Sequence, residues 1–410
     1  MDTAIYTLTS ELHDPQVVAA ATREFLGNLG LEHDMRGSDY TDYGSHALDL
    51  IYVRTGGTEG IFRRLLPELK AKSGRPFRLL TSGKSNSLAA SMEILSYLRQ
   101  NGLEGEIIHG SREYVASRIE LLRRAGKTRM DLRGCRLGVI GEPSDWLISS
   151  HADREVLRER LGIELTDISM QELIDTIAMT ETGAAPEIQA SEEVKRSLPG
   201  ALRIYVALKK LVQQHGLQGF TLRCFDLLSK VHNTGCVALA RLNAEGYVAG
   251  CEGDVPAMLS MMIGRSALGV SGFQSNPATI DPVSGRILMA HCTIPLDMVE
   301  RYELDTHFES GIGVAIQGVS PLTDYTLFKW GGPKLDRYFV TEAKAVERPY
   351  SNHFCRTQIT LDVNLKPYLL QHSIGNHHVI IRGQHADQIR QFMLENDIVE
   401  CRIQNAELCK

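Results

Sequence analysis

Short apolar runs alternate with amphipathic stretches through the first third of the chain. Residues 47–60, ALDLIYVRTGGTEG, read as a strand, a Gly-rich loop and the start of a helix. Residues 77–98, FRLLTSGKSNSLAASMEILSYL, repeat that plan, and GEIIHG at 105–110 adds a short strand. Strand, turn and helix in succession predict a parallel sheet with helices on its faces. Ligands of such sheets bind beyond the carboxyl ends of the strands, where these two polar loops fall. The basic, polar stretch LLRRAGKTRMDLRGC at 121–135 marks a boundary, after which RLGVIGEPSDWLIS opens a second strand-loop-helix series. ELIDTIAM and ALRIYVALKKLVQQHG supply its helices, the latter with Gly216 placed as a C-cap. No internal repeat relates the two series.

Beyond residue 270 the pattern shortens. GRILMAHCTIPL, GVAIQGVSP, DYTLFKW, RTQITLDVN and HHVIIRG are brief apolar or alternating runs separated by Gly, Pro, Asn and Asp. They predict antiparallel β structure of barrel type. A helix over ADQIRQFMLEND and a last strand, VECRI, follow. The expected domains are therefore 1–130 and 131–270, both α/β, and 271–410, all β.

Composition narrows the function classes. A chain of 410 residues, 43% hydrophobic and 23% charged, has length for two or three domains with their own cores. The net charge of -6, with no dense basic run, argues against nucleic-acid and membrane-surface partners and for a small, neutral or weakly charged ligand. The opening MDTAIYTLTSELHD lacks the basic and apolar regions of a signal peptide, and no apolar stretch reaches the roughly 18 residues of a membrane span. The expected location is cytoplasmic. Eight cysteines, at 135, 224, 236, 251, 292, 355, 401 and 409, form no Cys-x-x-Cys pair and predict reduced, buried thiols.

Candidate chemistry centres on GCEGDVPAML, where Glu252 and Asp254 stand between a strand and a helix. Asp254, just before a Val-Pro helix start, reads first as an N-cap. Glu252 falls where a strand ends, and a buried carboxylate there needs a cation or a metal. His291 ends one later strand, and His377 and His378 begin another. Alternation sends those adjacent histidines to opposite faces, so one of them faces a shared site. Imidazole with carboxylate suits manganese, zinc or iron. Trp146 is placed to stack on a ligand ring, with a core or interface role as its alternative. Arg356, at a strand start, suits a carboxylate, sulfonate or phosphate, with a surface ion pair as its alternative. TGGTEG and TSGKSNS offer amides and hydroxyls to a ligand but lack P-loop spacing.

GCEGDVPAML, LMAHCTIP and GNHHVIIRGQHADQIRQFMLENDI resemble, in order and relative spacing, the active-site segments of the L-fucose and L-arabinose isomerase family. The resemblance is clear from Gly200 onward and extends into the N-terminal region. It implies an α/β protein with two flavodoxin-like (Rossmann-like) three-layer domains followed by a C-terminal antiparallel β-barrel. It also implies manganese-assisted aldose-ketose isomerisation of a monosaccharide through an enediol. Glu252, His291 and His378 carry over as metal ligands, with His377 turned away. A homo-oligomer, trimeric or hexameric, is implied, with loops near Thr55–Glu59 or Ser82–Asn86 completing a neighbour's site.

One departure stands out. Where the family has a second acid, this chain reads GFQSNPATID, with Gln274 and Asn276 at substrate-binding or catalytic positions. An amide cannot abstract a proton, so Glu252, its pKa raised by burial, becomes the expected proton shuttle, with Asp254 or Asp281 as replacements for the missing acid. The loss leaves two alternatives: a metal-dependent lyase or decarboxylase acting on a sugar acid, and a non-catalytic carbohydrate-binding protein.

Overall fold

The computed structural model describes residues 2–281, 283–363 and 365–401. The chain divides into two compact units, Met1–Met130 and Asp131–Lys410. Cys409 and the end of the VECRI segment lie outside the described residues.

In the first unit, β1 (Thr3–Leu8), β2 (Asp34–Gly37), β3 (Leu48–Val53), β4 (Phe77–Leu80) and β5 (Gly105–Ile108) form a sheet in the order β2-β1-β3-β4-β5. Every pairing is parallel. Four helices flank it: α1 (Pro15–Leu29), α2 (Glu59–Lys72), α3 (Ser87–Gln100) and α4 (Arg112–Leu132). Side-chain alternation along β3 sorts them into two layers. Leu48, Leu50 and Tyr52 share a core with Leu26 of α1 and Ile119 of α4, whereas Ile51 and Val53 join Phe62 of α2 and Ile94 of α3. Covered on both faces, β3 is buried throughout, which is why its sequence is almost unbroken in apolar residues.

The second unit begins with β6 (Arg136–Ile140), β7 (Glu164–Ile168), β8 (Gly219–Leu222) and β9 (Val248–Cys251), a parallel sheet ordered β7-β6-β8-β9. Its helices are α5 (Arg154–Leu161), α6 (Met170–Ala178), α7 (Glu192–Gln214), α8 (Phe225–Val231) and α9 (Cys236–Ala244). Next comes α10 (Val255–Leu268), buried on every side from Val255 to Gly264. A helix apolar all round is one enclosed by other elements. Here β9 leads into it, and the Trp330 backbone N–H from the following sheet donates to Ser260 Oγ at 2.9 Å.

That following sheet is mixed. Its strands come from β10 (Gly272–Ile280), β11 (Ile287–His291), β14 (Asp324–Gly331), β15 (Arg337–Glu347), β16 (Thr357–Asp362), β17 (His378–Arg382) and β18 (Val399–Glu400). The intervening β12 (Arg301–Asp305) and β13 (Ala315–Val319) pair only with each other. Antiparallel neighbours run from β14 through β17, β10, β11 and β16 to β15, and β14 also pairs with β15. The six pairings therefore return on themselves. β18 joins β15 in parallel. Two further helices, α11 (Lys366–Gln371) and α12 (Ala386–Leu394), complete the unit. Among the described residues no helix is long and apolar enough to cross a membrane.

Candidate functional site

At the end of β9 the backbone turns through two consecutive left-handed residues, Glu252 (φ 64°) and Gly253 (φ 72°), before α10 begins. Gly253 is required there, because a Cβ would lie 2.6 Å from the Glu142 carbonyl oxygen and 2.7 Å from Pro143 Cα. A left-handed conformation at a glutamate is strained, and such strain marks positions held for their side chain. The turn is fixed by Gly253 N–H donating to Leu222 O (3.0 Å) and Ser144 N–H donating to Glu252 O (2.9 Å).

The mixed sheet supplies the opposite wall. β10 lies between β11 and β17, with Asn276 opposite Ala290 and Ser275 opposite His378. That register brings His291, the last residue of β11, and His377, just before β17, to the same place. Glu252 Oε1 lies 3.6 Å from His291 Nε2 and 3.4 Å from His377 Nε2. The ligating atoms of these three buried residues all fall within 4.8 Å of one another. Glu252 Oε2 accepts a hydrogen bond of 2.7 Å from the Trp146 indole N–H. Both imidazoles are held from behind: Asp254 Oδ2 lies 2.8 Å from His377 Nδ1, and Thr293 Oγ1 lies 3.1 Å from His291 Nδ1. Held so, each ring aims Nε2 inward, the arrangement by which outer partners orient metal-binding histidines.

Electrostatics follow this geometry. Burial works to raise the Glu252 pKa, but hydrogen bonds and charge from His291 and His377 overcome it and hold the carboxyl well below its usual range. For His377, burial opposes protonation, yet Asp254 and Glu252 together push its pKa up to about 9. Asp254, completely buried, is also held low, chiefly by Lys329 and His377 working against desolvation. Lys329 Nζ lies 3.9 Å from Asp254 Oδ2. It has no hydrogen-bond partner, and burial depresses its pKa despite that neighbour.

Several expectations need correction. His377, not His378, faces Glu252 and His291. Alternation holds with the opposite phase, because His378 turns to Tyr368, whose hydroxyl lies 3.0 Å from Nε2, and to the Asn376 carbonyl, 2.8 Å from Nδ1. Burial and the nearby Lys329 push its pKa down to about 3. Glu252 is not raised toward neutrality, since two histidines outweigh desolvation. Gln274 is engaged by backbone and is not among the residues lining the cavity beside Glu252 and His291: its amide accepts from Cys251 N–H (2.8 Å) and donates to Cys251 O (3.2 Å), tying β10 to β9. Arg356 is engaged by Asp305 at 3.1 Å and by the Thr306 carbonyl at 2.8 Å. Asp281 caps an exposed turn through Val283 and Ser284 and lies outside the site. Asp254 does cap α10, accepting from Ala257 N–H at 2.8 Å, and orients His377 as well.

A cavity of about 230 Å³ opens beside Glu252 and His291. Glu252, His291 and Asn276 line it, with Phe225, His307, Phe308, Glu309 and Phe354. Asn276 accepts from the Asn376 amide at 3.3 Å. Trp146, 52% exposed, packs edge-on against Phe225, which meets His307 in the same way. Five of the seven described cysteines, all free, complete the wall: Cys224, Cys236, Cys251, Cys292 and Cys355. The Cys224 and Cys251 sulfurs are 2.9 Å apart. Sequence reading missed Lys329, His307 and Glu309. The first had a signal: Lys329 keeps the phase of Tyr325 and Leu327, both core residues, so alternation along DYTLFKW places it inward. The other two sit in the loop THFESG, which has no periodicity.

Residues 158–265 match the family described as the L-arabinose isomerase central domain. The chain is similar to sulfoquinovose isomerase of Clostridium sp. (strain MSTE9), 26% identical over 268 residues, covering 61% of this chain and 59% of that protein. It is similar to sulfoquinovose isomerase of Priestia aryabhattai at 24% over 224 residues, covering 50% and 49%. The sulfoquinovose isomerase of Alkalicoccus urumqiensis matches at 21% over 329 residues, covering 75% and 74%. The first two alignments thus span about half to three-fifths of their relatives' length. The central-domain match and these relatives together support a likeness to the L-arabinose/fucose isomerase-like family.

Proposed function

We propose that this protein is a metal-dependent aldose-ketose isomerase that acts on a monosaccharide through an enediol. The observation that carries the reading is the convergence of Glu252, His291 and His377, with His377 Nε2 buried and facing Glu252 Oε1 at 3.4 Å. An anionic oxygen and two imidazole nitrogens, the latter held from behind, fit a divalent ion of the manganese type. When bound, that ion would supply Lewis-acid polarisation of the sugar's carbonyl and hydroxyl oxygens.

The residues of the chain then divide the work. Glu252, whose carboxyl is held low, is a poor base and a good anionic ligand. Proton transfer between C1 and C2 is assigned to Glu309, the other carboxylate on the cavity wall and the replacement for the acid absent at 274 and 276. Asn276 presents its amide to a sugar hydroxyl. The exposed face of Trp146 covers the ring. The closed set of six antiparallel pairings is read as the family's barrel, and the 131–270 and 271–410 division as two domains sharing the site. A cytoplasmic homo-oligomer is the proposed working form. Sulfoquinovose, named in the relatives, is the first substrate to try.

The test is incubation with aldoses, sulfoquinovose included, in D2O with manganese present, followed by NMR. Expected are a ketose with the whole carbon skeleton of the aldose and deuterium at the exchanging carbon. Mass loss would indicate a lyase instead. Absence of exchange with every sugar would sink the reading, and full turnover by Glu309→Gln would remove Glu309 from it.

A further inference from the structure

The first unit contains a crevice that the proposed isomerase chemistry does not use. Its sheet order places β1 beside β3, yet α1 after β1 and α2 after β3 pack on opposite faces. Loops that diverge in this way open a gap at the carboxyl ends of the two strands, the position where sheets of this order bind ligands. A cavity of about 720 Å³ lies there.

Its lining is electrostatically one-sided. Arg54, just beyond β3, and Arg23 of α1 line it, together with Thr9, Ser38 and Thr22, and no carboxylate does. Arg54 is half-buried and locked in place: its backbone N–H donates to Leu8 O at 3.0 Å and its Nε to Thr9 Oγ1 at 2.7 Å. Among the described residues its two terminal nitrogens have no hydrogen-bond partner, and no acid pairs with Arg54 or Arg23. Some other arginines of this unit are compensated, among them Arg36 by Asp42 and Arg78 by Glu106. A desolvated guanidinium normally acquires such a partner. Burial depresses the Arg54 pKa, and only the Tyr52 and Tyr40 hydroxyls oppose it. The opposite wall is apolar, formed by Met35, Ile61 and Leu65.

We propose that the first unit binds a small organic anion in this crevice, a phosphate or sulfonate head on the Arg54 fork and an organic body against Met35 and Ile61. The planar fork offers two parallel N–H donors, the geometry that tetrahedral oxyanions accept in bidentate fashion. The Thr9 and Ser38 hydroxyls add donors, and Arg23 supplies charge at the rim. The volume exceeds what a bare inorganic ion fills, which is why an organic body is part of the assignment. The site is built by the first unit alone and does not depend on the isomerase reading.

The test is calorimetric titration of the full chain in chelator with inorganic phosphate, glucose 6-phosphate, methanesulfonate and glucose. The expected result is one saturable site per chain for glucose 6-phosphate or methanesulfonate, weakening as salt rises, with no binding of glucose. Preference for the phosphate ester or for the sulfonate identifies the head group. Arg54→Gln should weaken binding at least about tenfold, as loss of a bidentate charged contact does. Arg23→Gln, an exposed change that leaves the core untouched, should weaken it about threefold through charge alone. Glu252→Gln should bind as the parent does. The proposal is overturned if neither anion saturates below about 10 mM. It is equally overturned if Arg23→Gln and a folded Arg54→Gln or Arg54→Lys bind like the parent, or if Glu252→Gln abolishes the signal.

Discussion

Replacing Asp254 by Asn isolates what a buried charge contributes at this centre. The cap on α10 survives, because Asn caps a helix as well as Asp does. What is lost is the negative charge facing Lys329. Both side chains are almost fully enclosed, at 0% and 1% exposure, so solvent screening gives no relief. Breaking a buried pair by removing one partner costs about 3–5 kcal/mol. The 3.9 Å separation, without a hydrogen bond, puts Asp254→Asn near the lower end, about 3 kcal/mol. Lys329→Met keeps the aliphatic stem and leaves Asp254 its bonds to His377 and Ala257, so it should cost only about 1 kcal/mol. The double variant should resemble Lys329→Met, a coupling of about 3 kcal/mol. Urea unfolding in chelator, followed by tryptophan fluorescence, reads the second unit specifically, because Trp146 and Trp330 are the only tryptophans and both lie in it. A double variant as unstable as Asp254→Asn alone would refute the idea that the Lys329 charge is what Asp254 balances.

Other outcomes follow from the same structure. Manganese at about 100 times its Kd should stabilise the second unit by about 2.7 kcal/mol; His377→Gln should abolish that gain and His378→Gln should retain it, and equal loss in both would return the choice between the histidines to doubt. Gly126→Ala should destabilise the first unit by over about 2 kcal/mol, although helix propensity alone favours Ala by about 1, because a Cβ there would sit 1.9 Å from the Ala47 carbonyl oxygen. A rise in that unit's unfolding temperature would show that α4 simply moves aside. At Glu245, burial acts to raise the pKa, but hydrogen bonds from Lys209 and Tyr205 leave it below 4.5. Its contribution is therefore full above pH 4.5 and lost as pH falls through the depressed folded value. Glu245→Gln should flatten acid unfolding in that window, and an unchanged curve would remove this ion pair from the acid sensitivity.

The parallel sheets were legible because strands covered on both faces must be written in nearly continuous apolar residues, as β3 is. Glu252 drew attention for a related reason: it follows the apolar GYVAGC, where a buried carboxylate needs a cation or a metal. The phase of His377 and His378 was not, since alternation fixes only that they oppose each other. Which one faces inward depends on Ser275 pairing with His378, a register set by strands more than a hundred positions apart. Gln274 misled for the same reason, its position matching a ligand while its amide completes the edge of β9. The Glu252 pKa was unreadable because its sign depends on two histidines whose arrival the local sequence does not announce.

Helix α10, apolar on every side, has a consequence for synthesis. Its N-terminal residue Asp254 meets His377 only 123 positions later. At about 5–20 residues per second, a ribosome needs roughly 6 to 25 seconds to make that length. Until that interval ends β17 does not exist, and the flank of the helix that carries Gly264, which packs on Ile381, has no permanent neighbour there. The segment that delivers Glu252 to its site is thus also where a nascent chain is most exposed to chaperones and to association with its own copies.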